Sequence, residues 1–169
     1  MPELAYVNGS YMPLGQATVS VEDRGFQFAD GVYEVIATYG GKPYAVHEHM
    51  QRLENSLEAL RISYFPTRDR LVEKMAYGID ACGFSEVLVY IQVSRGAAPR
   101  HHEFPHPKSD PTLVMTFKEL NRLPKEIYEN GVKVISLPDL RWGRCDIKSI
   151  ALLPNVLAKQ AAREKGAFE

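Results

Sequence analysis

Strict alternation of side chains over residues 86–94 constrains the fold of this chain more than any other feature of its sequence. Every second position in this segment carries a β-branched apolar residue: Val87, Val89, Ile91 and Val93. Successive side chains of a β-strand point to opposite sides, so the pattern predicts a strand with one buried face. The opposite face is mixed in polarity and holds Tyr90 and Gln92, which we expect to support packing or a dimer interface.

Further strand patterns lie on both sides of this segment. Residues 4–12 carry Asn8-Gly9 at their centre, a dipeptide typical of a tight hairpin turn. Residues 32–39 are rich in β-branched and aromatic side chains, and a glycine pair then turns the chain back into residues 42–46. Residues 112–117 form another predicted strand. Because strand follows strand, we expect the sheet to begin antiparallel.

Two helices are predicted between these strands. Residues 47–61 place apolar side chains on one helical face: Met50, Leu53, Leu57 and Leu60. A second helix is expected to begin after Thr67, its N-cap, and to end at Gly83. The chain therefore mixes helices with an antiparallel sheet.

Two loops separate these elements. Residues 24–31 are punctuated by glycine, and Asp23 and Arg24 would fix the shape of that loop. Residues 95–107 form a longer loop, and long ordered loops tend to be functional. If that loop is extended, Arg100 and His102 point the same way, which would make a plausible trap for a carboxylate.

The second part of the chain begins near residue 121, after a polar, proline-bearing segment. Residues 131–138 predict a strand and residues 153–166 a helix, with Pro154 in its first turn and Gly166 just past its end. The predicted fold class is α/β, with a small N-terminal α+β domain over residues 1–120. Residues 121–169 would open a larger domain, and residues 167–169 would begin a strand of it.

The composition excludes several classes of partner. A net charge of −1 offers no general attraction to nucleic acid or to an anionic membrane. No apolar run approaches the length of a transmembrane helix. Two cysteines are too few for a disulfide framework or a zinc cage, so we expect a cytoplasmic protein with reduced thiols. We therefore expect neither nucleic acid nor a membrane as a partner.

Lys148 lies on the connection between the predicted strand and the last predicted helix. A lysine on such a connection can point into a cleft and form a Schiff base if its amine loses its proton near neutrality. A lone lysine is more simply explained as a solvated surface residue. Its sequence context decides between these two interpretations.

That context resembles a known family. Three segments around Lys148 closely resemble the lysine region of D-amino-acid aminotransferases: Arg141-Trp142, Arg144-Cys-Asp-Ile-Lys-Ser149 and Val156-Leu-Ala-Lys-Gln160. These enzymes belong to the class IV, or fold-type IV, pyridoxal-phosphate enzymes, with branched-chain aminotransferases and aminodeoxychorismate lyase. The resemblance runs from residue 21 to the last residue. It implies a fold-type IV enzyme whose second domain binds the cofactor.

The resemblance implies a role for five residues. Lys148 would hold pyridoxal 5′-phosphate as a Schiff base and move a proton during a ping-pong reaction. Arg52, in the sequence His49-Met-Gln-Arg-Leu, would bind the cofactor phosphate, although by itself it is a typical solvated arginine. Arg100 and His102 would bind the substrate carboxylate in the site of a neighbouring subunit, and Tyr33 would bind the same carboxylate. A homodimer follows from this arrangement.

The loop also permits a rival interpretation as a metal site, because His101, His102 and His106 cluster with Glu103. The two adjacent histidines would diverge and no cysteine joins them, so we expect no metal. We interpret Cys145 as a packed small residue. Glu34, on the strand that carries Tyr33, is expected to support packing or an interface, and His49 to stand simply at the start of a helix.

The implied reaction moves an amino group between a D-amino acid, D-alanine or D-glutamate, and a 2-oxo acid. The alternatives are a branched-chain aminotransferase, an aminodeoxychorismate lyase, or a non-catalytic relic of the same fold. The resemblance places further cofactor ligands after residue 169, a carboxylate for the pyridine nitrogen among them. Residues 1–169 alone are therefore expected to expose apolar surface, to associate, and to bind the cofactor poorly.

Overall fold

The alternating strand lies inside an antiparallel sheet, in a computed structural model that describes residues 3–63 and 66–169. Within those residues the sheet has six strands in the order β2-β1-β6-β5-β3-β4. The strands are β1 (Leu4–Val7), β2 (Ser10–Pro13), β3 (Gly31–Tyr39), β4 (Lys42–Pro43), β5 (Val87–Ser94) and β6 (Thr112–Glu119). The helices are α1 (Arg24–Phe28), α2 (Val46–Ala59), α3 (Arg68–Cys82), α4 (Lys125–Asn130) and α5 (Leu153–Glu164).

The predicted buried face of β5 forms the centre of the core. Its four β-branched side chains are fully buried, between the neighbouring strands β3 and β6: Val87, Val89, Ile91 and Val93. The apolar stripes of α2 and α3 join the same cluster through residues such as Leu53 and Met75. Burial of one sheet face under two amphipathic helices accounts for the stability of this layer.

Several predicted elements are confirmed. The first hairpin turns at Asn8 and Gly9, whose φ angles of 44° and 112° suit a tight turn. Both predicted helices are present, and α3 ends at Gly83, whose φ of 71° is left-handed. In the second part of the chain α5 begins near Pro154, as its sequence predicts.

The predicted loop over residues 24–31 is wrong in its first half. Arg24–Phe28 forms the short helix α1, with Asp23 as its N-cap. The Asp23 carboxylate accepts a 2.8 Å hydrogen bond from the Gly25 amide, which satisfies a donor at the helix start. Ala29 ends the helix with a left-handed φ of 56°. A helix of one turn is too short to show a 3.6-residue period. The glycines are therefore the stronger local signal, and they indicate a loop.

The predicted strand over residues 131–138 is also wrong. Its backbone makes two hydrogen bonds of 2.8 Å with the last residues of the chain, from Ile135 N to Glu169 O and from Phe168 N to Lys133 O. Two bonds do not form a strand ladder, so the segment is not a strand in the described residues. A β-branched run specifies a strand only where a neighbouring strand pairs with it.

The chain divides into two compact units. The first comprises residues 1–120 together with Asp146–Ile150, and the second comprises Asn121–Cys145 and Ala151–Glu169. The lysine segment thus groups with the first unit, whereas the sequence places it with the second. Its backbone pairing with β3 explains this difference. The division into an N-terminal domain and a cofactor domain at residue 121 stays a prediction.

The second unit carries α4 and α5 and exposes much apolar surface. Leu140 and Leu153 are 74% and 67% exposed, and they line a cavity of about 550 Å³ between α5 and residues 135–141. Among the described residues, no helix is both long and apolar enough to cross a lipid bilayer. The expected association of residues 1–169 alone stays a prediction.

Gly78 allows α3 to approach the sheet, and its substitution tests that packing. A Cβ at Gly78 would lie 2.1 Å from Cζ of the buried Phe117 ring. We expect Gly78→Ala to lower the free energy of unfolding by about 1–3 kcal/mol through overpacking, which exceeds the helical preference of alanine. Gly15→Ala, where a Cβ meets nothing within 4 Å, is the control and should leave denaturant unfolding nearly unchanged. Equal stability of the two variants would contradict this packing.

Candidate active site

The backbone of the Lys148 segment is attached to the start of β3. Tyr33 N donates to Lys148 O at 3.0 Å, and Ile150 N donates to Gly31 O at 3.1 Å. Val32 and Ser149 form an antiparallel bridge between these two bonds. On that side of β3, β4 pairs only with Thr38 and Tyr39 at the far end, so the first residues of β3 pair with the lysine segment instead.

A second contact fixes the lysine segment from α2. Ser56 Oγ accepts a hydrogen bond of 3.2 Å from Lys148 N, and Ser56 is buried. The Lys148 backbone is thus bonded on one side to β3 and on the other to α2, all within the first unit. Ser56 is not among the residues that the sequence patterns predict for the site. Its signal is a polar residue on the face of α2 that otherwise carries Leu53 and Leu57.

The Lys148 side chain extends over an aromatic ring. Its Nζ lies 4.2 Å from the centroid of the Tyr33 ring, within range of a cation–π interaction. Tyr33 in turn stacks on Tyr90, with ring centroids 5.7 Å apart and planes inclined by 28°. The structure therefore brings together two residues of the predicted site, Lys148 and Tyr33.

The hydroxyl of Tyr90 is held by its neighbour on the same strand face. Tyr90 Oη donates to Gln92 Oε1 at 2.6 Å. Burial, followed by the proximity of Tyr33, raises the pKa of Tyr90 to about 12, so this phenol stays neutral at physiological pH. The predicted packing role of Tyr90 and Gln92 is therefore consistent with a neutral aromatic support behind Tyr33.

Glu34 occupies the opposite face of β3 and orients Arg52. This carboxylate is fully buried and accepts hydrogen bonds from Arg52 Nε at 2.6 Å and from Arg52 Nη2 at 2.7 Å. His49 Nδ1 lies 2.8 Å from the same carboxylate. Burial alone would raise the pKa of Glu34, but the hydrogen bonds from Arg52 and His49 outweigh it and lower that pKa. Glu34 and His49, expected only to support packing and a helix start, together position this arginine.

Arg52 remains accessible to an anion. Its side chain is 52% exposed, and Glu34 takes two of the five N–H donors of the guanidinium. Arg52 and Ser56 are four residues apart on α2, so they lie about one helical turn from each other. The residue that bonds to the Lys148 backbone and the candidate phosphate ligand thus share one stretch of helix.

Arg100 and His102 lie elsewhere in the first unit. Both are exposed, and both approach Phe28 at the end of α1. Arg100 Cζ lies 4.6 Å from the Phe28 ring centroid, and the His102 ring centroid lies 5.4 Å from it. In the described part of the chain, their ring and hydrogen-bond contacts do not reach Lys148 or Tyr33.

Two further predictions concern cysteine and metal chemistry. Cys145 is exposed and its Sγ donates to Trp142 O at 3.2 Å, so its interpretation as a packed residue is wrong. An irregular segment leaves it at the surface instead. Among residues 3–63 and 66–169, no three histidine, cysteine or acidic side chains are placed to hold a metal ion together.

Comparison with known sequences identifies the family. The model of the amino-transferase class IV family matches residues 31–169. D-alanine aminotransferase of Staphylococcus epidermidis is 42% identical over 164 residues, which cover 97% of this chain and 58% of the relative. The corresponding protein of Bacillus licheniformis is 39% identical over 162 residues, covering 96% of this chain and 56% of the relative. The chain thus spans less than two thirds of the length of these relatives.

Solved structures share the fold. The branched-chain amino acid aminotransferase of Escherichia coli superposes with a TM-score of 0.86 at 20% identity, covering all of this chain and 59% of that one. The 4-amino-4-deoxychorismate lyase of Pseudomonas aeruginosa gives a TM-score of 0.75 at 23% identity, covering 93% of this chain and 56% of that one. These likenesses define the fold as that of the fold-type IV enzymes.

The sheet, the attached lysine segment and the sequence match lead to one assignment. This chain belongs to the class IV aminotransferase family. The resemblance drawn from the motifs around Lys148, and the predicted α/β fold class, are therefore confirmed.

The carboxylate of Glu34 predicts how the stability of the fold depends on pH. Its folded pKa lies below the unfolded value of about 4.5, so its stabilising contribution is present above pH 4.5 and is lost as the pH falls through the folded pKa. We expect Glu34→Gln to be less stable than the wild type at pH 7, and the difference to shrink as the pH falls below about 4.5. Urea unfolding at several pH values measures this difference.

A matched variant isolates the effect of Glu34. Glu58→Gln makes the same change on the exposed side of α2. Its free energy of unfolding should differ from that of the wild type by an amount that does not shrink below pH 4.5. If the free energies of unfolding of Glu34→Gln and the wild type differed by a constant amount from pH 7 to pH 3, the ion pair between the buried Glu34 carboxylate and Arg52 would be contradicted.

Proposed function

We propose that the complete protein is a pyridoxal-phosphate-dependent aminotransferase that acts on D-amino acids and 2-oxo acids. The observation that carries this proposal is the placement of Lys148, bonded to both β3 and α2, with its amine over Tyr33. The identity of 38–42% to D-alanine aminotransferases supports the D-specific branch of the family, with D-alanine or D-glutamate as the amino donor.

The donor set of the first unit fits the cofactor. A primary amine is needed to link an aldehyde, and Lys148 supplies one on a rigid backbone. A cationic donor is needed for a phosphate, and Arg52 keeps N–H donors free of Glu34. When bound, pyridoxal phosphate supplies the conjugated ring that withdraws electrons from the α-carbon of the substrate. Lys148 and Arg52 are the two residues of this chain that would hold it.

Each residue of the site then has a chemical task. Lys148 Nζ would act as base and as acid in turn: it would take the proton from the substrate α-carbon, hold it, and release it again within the site. Tyr33 limits where that amine can move, because its ring lies directly beside Nζ. Glu34 keeps the guanidinium of Arg52 in one orientation, which favours a defined phosphate position. One site that uses one carrier implies ping-pong kinetics.

The substrate carboxylate would be bound by Arg100 and His102 of a neighbouring subunit, together with Tyr33. Two observations support a homodimer with a shared site: both loop residues are exposed, and their described contacts are with Phe28 rather than with Lys148. We place the enzyme in the cytoplasm, because Cys82 and Cys145 are both free thiols.

The role of Lys148 is tested by its removal. Lys148→Ala should abolish both transamination and the visible absorbance of the lysine-linked cofactor, which borohydride bleaches in the wild type. Its backbone bonds to Tyr33 and Ser56 do not depend on the side chain, so the melting temperature without cofactor should change little. Lys118→Ala, at the end of β6, serves as the control and should keep both the transamination and the visible absorbance. Normal turnover by Lys148→Ala would mean that another lysine links the cofactor.

The D-specific assignment is tested at Arg100. Arg100→Ala should lower kcat/KM for D-alanine by the equivalent of about 1.5–3 kcal/mol, the contribution of a hydrogen bond to a charged group. Arg70→Ala, an exposed arginine on α3, should leave it unchanged. The unaltered protein should also turn over D-alanine far better than L-leucine. A preference for L-leucine would favour a branched-chain aminotransferase instead.

A further inference from the structure

A buried cluster of charges lies beside the loop of Arg100 and His102. Arg24 and Arg95 are only 3% and 7% exposed, and both bind the carboxylate of Asp30. Arg24 Nε lies 2.8 Å and Arg95 Nε 2.7 Å from the same oxygen, Asp30 Oδ2. Buried guanidinium groups persist only where they are paired, so this carboxylate fixes both arginines.

Arg24 extends from that carboxylate to the loop itself. Its Nη1 donates to His101 O at 2.6 Å, and its Nη2 donates to His102 O at 3.2 Å. The guanidinium therefore holds the peptide groups on both sides of His102. Its Cζ also lies 5.0 Å from the centroid of the Phe28 ring, which Arg100 approaches as well.

Arg95 holds the two ends of the same loop. Its Nη2 donates to Leu60 O at 2.8 Å, and the guanidinium stacks on Phe104 with Cζ 3.7 Å from the ring centroid. Residue 95 opens the loop and residue 104 lies near its end. The segment between them is thus tied to the fold at its start, at its end and, through Arg24, in the middle.

Asp30 also connects this loop to the lysine segment. It immediately precedes Gly31, whose carbonyl accepts the hydrogen bond from Ile150 N. Arg95 N additionally donates to Asp30 O at 3.0 Å. Asp30, the residue just before β3, is therefore bonded through its side chain to Arg95 of the loop, and it adjoins the strand that pairs with the lysine segment.

We propose that Arg24 is a positioning residue for substrate carboxylate recognition. It does not touch the substrate; it holds the backbone that presents Arg100 and His102. This inference rests on the proposed function, because it assigns the loop to carboxylate binding. The planar fork of arginine bonds three acceptors at once, whereas a lysine ammonium at the same place cannot reach all three in one geometry.

The test uses Arg24→Lys in the complete, cofactor-loaded protein. We expect the KM values for D-alanine and for 2-oxoglutarate to rise together by about tenfold, the scale of one charge-assisted hydrogen bond, with kcat nearly unchanged. Propionate has the carboxylate but no amino group. Its inhibition constant as a competitive inhibitor should rise by the same factor. Hydrogen exchange of the amides in residues 96–104 should be faster in the cofactor-free variant than in the cofactor-free wild type.

Controls separate positioning from a general loss of structure. Arg68→Lys makes the same change in an arginine that forms an ion pair with Glu54 on the helical layer, and it should leave propionate inhibition unaltered. If Arg24→Lys does not fold, as judged by its melting curve, Arg24→Gln is assayed in the same way, because it keeps one N–H₂ group for the carbonyls.

Arg100→Ala distinguishes failure of this inference from failure of the proposed function. If Arg100→Ala weakens inhibition by propionate and Arg24→Lys does not, the positioning role of Arg24 is wrong, whereas the assignment of the loop to carboxylate binding is supported. If neither variant weakens inhibition by propionate, the assignment of the loop to carboxylate binding is itself wrong. Loss of kcat with unchanged propionate inhibition would assign Arg24 a merely structural role.

Discussion

The candidate site depends on the backbone pairing between the first residues of β3 and the lysine segment. Three consecutive residues of each segment pair, and the two segments come from distant parts of the sequence. Gly31 permits the close approach, because a Cβ there would lie 2.8 Å from Val93 O and 3.1 Å from Ile150 Cδ1. Any side chain at this position would push β3 away from β5 or from the lysine segment, and the position of Lys148 would change with it.

The alternation of a β-strand gives β3 two separate tasks. Tyr33 and Glu34 are adjacent, so their side chains point to opposite sides of the sheet. Tyr33 lies under the amine of Lys148, and Glu34 orients the guanidinium of Arg52 from the helical side. A single strand thus relates the amine of Lys148 to Arg52, the proposed phosphate ligand.

Local patterns predicted the parts of the fold that local physics determines. The hairpin at Asn8-Gly9, the stripes of α2 and α3, and the alternation of β5 each follow from turn chemistry or periodicity. The helix α1 was missed because one turn shows no period, and residues 131–138 were mistaken for a strand because pairing is not local. The motif around Lys148 predicted this lysine as the candidate functional residue, but its grouping with the first unit depends on contacts with β3 that no local pattern contains.

The buried arginines show how an irregular loop keeps one conformation. Backbone carbonyls in a loop lack the partners that a sheet or a helix supplies, and burying them unpaired is costly. Here one carboxylate, Asp30, faces two guanidinium groups, and these groups also donate to the main-chain carbonyls of His101, His102, Leu60 and Arg61. The two guanidinium groups therefore supply N–H donors to carbonyls that have no partner in a helix or a sheet. The bidentate geometry of arginine makes such a contact directional, so the contact fixes the orientation of the loop as well as its position.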